Sequence, residues 1–333
     1  MDFLRSKLPL LMRPNMSRAK RFITQSVLLI GLLSCNLVIA QSAETFPSKT
    51  IKVIVPFPPG GGADTLIRLL TPSLTETWKQ SLIVENRPGA SGSIGSEVVA
   101  QSTPDGYVLL MGTTAAVTDK NISKFAPVAL VSASPYIVTV NPALNISSIR
   151  SLIAYAKTNP GKLRYGSSGP GSASHLSAEL FASMAGINLM HIPYKGTGQA
   201  LTDLLAGHID IMFAPAQTVM PQVESGKLLA LAETGSKRSE SLPNIPTVTE
   251  SGLPGYSAVG WFGLFAPAGT PKPIVQKINQ AVMSVMSQSK IRKSMMERGS
   301  DPASGSADDF AAFLRVDQAK WSKLIKENNI AVQ

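Results

Sequence analysis

Two glycine-rich stretches hold the residue types best placed to do chemistry. The first is Pro56-Phe-Pro-Pro-Gly-Gly-Gly-Ala-Asp64, which follows the β-branched run Ile51 to Val55 and precedes Leu66, Leu69 and Leu70 at helical spacing. The second is Gly166-Ser-Ser-Gly-Pro-Gly-Ser-Ala-Ser-His175, between the short strand Leu163 to Tyr165 and an apolar-faced helix running to Ala185. Strand, glycine-rich turn and helix N-terminus in that order form an anion cradle. Glycine lets the backbone approach a ligand closely, and the first N–H groups of the helix point at it with the helix dipole behind them. Asp64 is the expected N-cap of the first helix. Hydroxyls of Thr65, Thr113, Thr114, Ser167, Ser168, Ser172 and Ser174 can add donors. Hydrogen bonds to a charged acceptor contribute about 1.5–3 kcal/mol each, so several can hold a carboxylate without arginine.

Reactive groups are scarce. Neither loop carries the Lys-Ser/Thr pair of a P-loop, and no Gly-x-Ser-x-Gly elbow is present. Three histidines, His175, His191 and His208, are too few and too spread for a zinc site, and the single cysteine, Cys35, excludes an intramolecular disulfide. A loop serine with His175 could form a nucleophile and base, but neighbours at a helix start rarely have that geometry. What remains is a pair of loops that are either anion-receptive or simply tight connections of an α/β fold, with no cofactor, no metal and no catalytic residue expected.

The elements that must position these loops alternate between strand and helix, which argues an α/β fold with largely parallel sheets. Expected strands include Ser81 to Glu85, Tyr107 to Met111, Pro127 to Val131, Tyr136 to Val140, Leu189 to Pro193, Ile209 to Phe213, Leu228 to Ala232 and Gly260 to Pro267. The alternation restarts at Asn145, with Ser147 or Ser148 capping a helix over Ile149 to Lys157. Ser241 to Gly255 is an irregular link, and helices over Ile274 to Met286, Lys290 to Arg298 and Asp308 to Lys326 close the chain.

The 333 residues carry a formal net charge of +10, but half of that excess lies in the first 40 residues, where six basic side chains face Asp2 alone. The remainder is scattered, so surface solvation rather than nucleic-acid binding explains it. Arg18 to Arg21 followed by the apolar run from Phe22 reads as a secretory signal with cleavage near Ala40, and Met16 would open a more usual leader. Cys35 sits in a partial lipobox, but Leu37-Val-Ile-Ala40 extends the apolar stretch past it, which favours a soluble exported form.

Beyond the loops, further motifs recur in a known family. They are Val84-Glu-Asn-Arg-Pro-Gly89, Pro104-Asp-Gly-Tyr107 with Leu110-Met-Gly-Thr113, and His191-Ile-Pro-Tyr-Lys-Gly-Thr-Gly198. Leu253-Pro-Gly-Tyr256, Trp261-Phe-Gly-Leu-Phe-Ala-Pro267 and the Trp321 helix complete the set. Over residues 44 to 330 the chain resembles the substrate-binding proteins of tripartite tricarboxylate transporters, the Bug family.

That resemblance implies a type II periplasmic binding protein fold: two α/β domains around a ligand cleft, residues 44–140 plus 262–333 and residues 141–261, after a signal peptide over 1–40. It implies an organic carboxylate met by Phe57, Pro59, Gly60, Gly61, Gly62, Asp64 and Thr113 on one side. Ser167, Ser168, Gly171, Ser172 and His175 would face it from the other, with Tyr194, Gly196 and Gly198 nearby. The expected partner is a two-subunit membrane permease and the expected state a monomer; signalling to a sensor kinase and, further off, a serine hydrolase are the alternatives. Two departures stand out. Ala214 follows Met212-Phe213 where the family often has an aspartate, which suits a ligand without an amino group, and Gly112 to Phe125 is short for the family.

Overall fold

The computed structural model describes residues 46–328 and residue 330. The expected leader, its cleavage near Ala40 and the Cys35 lipidation question lie outside the described residues.

The chain opens with β1 (Ile51–Val55), α1 (Gly62–Trp78), β2 (Leu82–Asn86), α2 (Ser93–Ala100) and β3 (Val108–Thr113). β4 (Phe125–Val140) follows. Next come α3 (Ile149–Thr158), β5 (Arg164–Ser167), α4 (Ala173–Ala185), β6 (Met190–Pro193) and α5 (Thr197–Leu205). β7 (Ile211–Pro215), α6 (Ala216–Glu224), β8 (Leu229–Glu233) and β9 (Val259–Pro267) precede the closing helices α7 (Lys272–Ser287), α8 (Ser289–Met296) and α9 (Ala307–Glu327). The strands line up in the order β2-β1-β3-β9-β4-β7-β5-β6, with β8 also on β4.

Among the described strands, parallel strand-to-strand pairing is found for β1 with β2 and β3 and for β5 with β6 and β7. β9 pairs antiparallel with β3 and β4, and β4 antiparallel with β7 and β8, so the sheets are mixed rather than largely parallel. The two strands expected at Pro127 to Val131 and Tyr136 to Val140 are one 16-residue strand. Its first part pairs with β9 as far as Pro135, and its last five residues pair with β7. Ser132 and Ser134 read as a break in the sequence, yet both are buried and their hydroxyls bond each other at 2.9 Å. Register shifts at Val128, between Pro127 and Ala129, and at Val131, between Leu130 and Ser132, let the strand bend without ending.

Helix starts follow local chemistry. Ser148 caps α3 reciprocally with Ser151, and Ser306 caps α9 with Asp309, each a capping box that supplies acceptors to otherwise unpaired backbone N–H groups. Gly186 ends α4 in the left-handed region at φ 61°. Asp64 is not the N-cap of α1: Gly61 is, and Asp64 lies in the first turn.

Among the described residues, three clusters of buried side chains stand out. One joins Ile54, Leu110, Trp261, Phe265, Phe310 and Leu314. A second joins Val138, Tyr165, Phe181, Phe213 and Tyr256, and a third Leu204, Ile209, Met212 and Val219. α9 serves the first two: Phe310 and Leu314 enter the first, Trp321 and Leu324 the second. Between them Asp317 accepts the indole N–H groups of Trp261 (2.7 Å) and Trp321 (2.9 Å).

Candidate ligand-binding site

Four helices start on one cavity. Their N-cap residues, Gly61 for α1, Ser172 for α4, Gly196 for α5 and Pro215 for α6, all stand on its wall. Each helix N-terminus presents unpaired backbone N–H groups and the positive end of a dipole equivalent to roughly half a charge. The cavity holds about 220 Å³. Phe57, Pro58, Pro59, Gly62 and Ala63 form one side with Thr113 and Phe262. Ser168, Ala173, Thr197, Gly198, Gln199, Thr202 and Tyr136 complete it. No lining side chain carries a formal charge. The arrangement concentrates hydrogen-bond donors and positive potential without a counter-ion, which is the chemistry of an anion receptor.

Local packing explains why glycine stands at position 62. A Cβ there would come within 2.6 Å of Gln217 Nε2 and 2.7 Å of the Phe262 ring, so only glycine admits both neighbours. Gly260 has the same role against Tyr136, whose ring would lie 2.0 Å from an added Cβ.

Of the residues expected at the site, Phe57, Pro59, Gly61, Gly62, Thr113, Ser168, Ser172, Gly196 and Gly198 line the cavity. The others stand behind it. Asp64 is buried and accepts from Gly60 N–H (3.0 Å), Arg68 Nε (2.8 Å) and Asn86 Nδ2 (3.0 Å), while Asn86 Nδ2 also donates to the Phe57 carbonyl. Asp64 thus holds the first loop from its rear, with Gly60 as one of its donors. Ala214 is buried and paired with Ile137 in the sheet. Tyr194 donates its hydroxyl to Asp203 at 2.7 Å.

The second loop is held from below by aromatic rings. His175 and His191 stack at 4.2 Å between centroids, and Tyr165 stacks on His191 at 4.8 Å. Gly171 N–H donates to His175 Nδ1 (3.1 Å). Ser167 Oγ accepts from Gly169 N–H (3.1 Å). Burial holds both imidazoles neutral: the His191 pKa is pushed down to about 4, and that of His175, with His191 adding its own charge, to about 3. The Ser167 hydroxyl touches His191, but Ser167 is fully buried and on neither this cavity nor the second one described below.

Sequence reading missed Thr197, Gln199, Thr202, Tyr136, Pro215 and Phe262. Thr197 carried a signal, because it follows Gly196 at the start of an amphipathic run, the same device as the two loops. Tyr136, Pro215 and Phe262 arrive from strands distant in sequence, which spacing does not register. Among the described residues no group of three or more His, Cys, Asp or Glu side chains could hold a metal ion, and no helix is long and apolar enough to cross a membrane.

With this geometry in hand, likeness to known proteins places the chain. The architecture is the expected type II form of periplasmic solute-binding proteins. The structure of R. palustris Rpa4515 with adipate superposes with a TM-score of 0.83 at 34% identity, over 86% of this chain and 99% of that one. MatC from Rhodopseudomonas palustris with bound malate gives 0.78 at 30% identity, over 84% and 100%. Protein BugT of Bordetella pertussis is 34% identical over 320 residues, 92% of this chain and 98% of its own. The model of the tripartite tricarboxylate transporter family receptor matches residues 66–330, and the chain belongs to that family.

Proposed function

We propose that the protein is an exported receptor that captures a small organic carboxylate in the cavity where α1, α4, α5 and α6 begin, and delivers it to a two-subunit tripartite tricarboxylate transporter permease. The observation that carries this reading is the convergence of four helix N-termini on a wall with no charged side chain. Backbone N–H groups and the hydroxyls of Thr113, Ser168, Ser172 and Thr197 would meet carboxylate oxygens, and the apolar faces of Phe57 and Phe262 the carbon chain. With no Asp or Glu on the wall, an ammonium group would find no counter-charge, so the ligand is a carboxylate lacking one. The adipate and malate held by two relatives agree with a dicarboxylate.

We further propose two lobes, residues 44–140 with 262–333 and residues 141–261, joined through β4 and β9 and closing on the ligand. Sheet pairing supports this, since β1, β2 and β3 pair only among themselves and with β9, while β5 and β6 join β4 through β7. The proposal includes an N-terminal export signal over residues 1–40, a periplasmic location and a monomeric receptor.

A thermal-shift screen of organic acids, with adipate and malate among them, tests the reading. At about 100 times Kd the bound ligand should add ~2.7 kcal/mol to stability. No stabilisation by any carboxylate, or stabilisation by a diamine of similar length, would overturn it. Delivery is tested by uptake of the identified acid in cells lacking the receptor, which should fall to background.

A further inference from the structure

A second cavity, of about 410 Å³, lies on the far side of the two segments that form the first. Thr113 faces the first cavity and Thr114 the second; Ser172 faces the first and Gly171 the second. Ser91 Oγ lies 2.6 Å from where a Gly169 Cβ would stand, so the segments between the two cavities are in close contact. The volume falls within the roughly 300–1,000 Å³ of small-molecule sites.

Its wall has a composition that the carboxylate reading does not use. Val117, Leu176, Ile325 and the indoles of Trp261 and Trp321 make it apolar and aromatic. Two residues of this wall each hold a buried polar atom with no hydrogen-bond partner: Thr114 Oγ1, on a residue only 8% exposed, and Gln318 Nε2. An unpartnered buried donor costs about 1–3 kcal/mol, and a rotation of either side chain toward the empty volume would relieve that cost where a ligand supplies an acceptor. Charge decides which kind. Glu97, Asp119 and Asp317 outnumber Lys120 and Lys124 on this wall, and Glu97 already pairs with Lys124 at 2.8 Å. A second carboxylate would face an acidic surplus.

We propose that this cavity is a second ligand site, separate from the carboxylate site, for an uncharged ring-sized molecule bearing a carbonyl-type acceptor. The apolar body lies against Trp261, Trp321 and Leu176, and the acceptor takes hydrogen bonds from Thr114 and Gln318.

Phenylacetamide is the probe, with phenylacetate as its charged counterpart, and the fluorescence of Trp261 and Trp321 reports occupancy. Phenylacetamide should quench saturably and bind at least about five-fold tighter than phenylacetate. Thr114→Val and Gln318→Leu should each weaken it by about five- to ten-fold, the loss of one hydrogen bond. Both variants should melt no lower than wild type, since each removes an unpartnered polar atom. Thr197→Val, in the first cavity, should leave phenylacetamide binding unchanged. Absence of saturable binding, equal binding of amide and acid, insensitivity to both cavity-two substitutions, or loss in Thr197→Val would each overturn the assignment.

Discussion

Ser167 Oγ and His191 Nε2 are 2.6 Å apart, and through this contact the floor of the second glycine-rich loop rests on an imidazole that burial keeps neutral. Ser167 in turn receives Gly169 N–H, and the stacked His175 receives Gly171 N–H, so two backbone groups of the loop depend on two uncharged rings.

Acid should therefore loosen this loop. Both histidines have folded pKa values, about 4 and about 3, below the ordinary value near 6.5. The unfolded chain binds their protons first, so their contribution is complete above about pH 6.5 and declines as pH falls toward 4. The slope is at most about 1.4 kcal/mol per pH unit for each ring. Urea midpoints of wild type and His191→Phe, compared from pH 7 to pH 4, should converge as pH falls. Parallel curves would show that His191 does not contribute in this way.

Asp64 should matter for ligand affinity although it stands behind the cavity. Asp64→Ala leaves Gly60 N–H, Arg68 and one bond of Asn86 without their acceptor. A stability loss of about 1–3 kcal/mol is expected. Calorimetry should show weaker carboxylate binding in the same variant, and unchanged affinity would separate the loop's shape from Asp64.

Gly62→Ala tests the close approach at the start of α1. The added methyl meets Gln217 and Phe262, so a destabilisation of about 1–3 kcal/mol and a marked loss of carboxylate affinity should appear together. Ser172→Ala should act more mildly on folding, by about 0.5–2 kcal/mol, because the α4 cap to His175 N–H is lost. Denaturant titrations with and without ligand distinguish the two.

Glu233 offers a prediction of opposite sign with pH. It is fully buried, Oε1 accepts Ser239 N–H at 2.6 Å and Oε2 has no partner. Burial, reinforced by the Asp301 charge, raises its pKa to about 7. A raised carboxyl pKa gives stability that is complete below the unfolded value near 4.5 and lost as pH rises through 7. Glu233→Gln should stabilise the protein at pH 8 by about 1–3 kcal/mol and have little effect at pH 5. Equal effects at the two pH values would place the charge elsewhere.

The sequence disclosed the helices and most strands because hydrophobic period and capping residues are local. Ser148, Ser306 and Gly186 each mark a helix end through atoms within a few residues. β4 was legible only as two pieces: what holds Ser132 and Ser134 inside a strand is pairing with β9, more than a hundred residues away. Both glycine-rich loops were legible as turns leading into helix starts, and nine of the residues expected at the site line one cavity. Asp64 and His175 do not line that cavity but accept the N–H groups of Gly60 and Gly171, bonds that residue type alone does not disclose.

α9 has a mechanical consequence. Its 21 residues make a rod about 30 Å long, with Phe310 and Leu314 seated in one core and Trp321 and Leu324 in another. Rotation of one core against the other must bend this rod or unseat one of its ends. The helix is therefore a stiff elastic element in parallel with the two strands that cross between the sheets. If the two lobes close as proposed, the segment near Val316 to Lys320, where Asp317 ties the two indoles together, is where this helix would resist the motion.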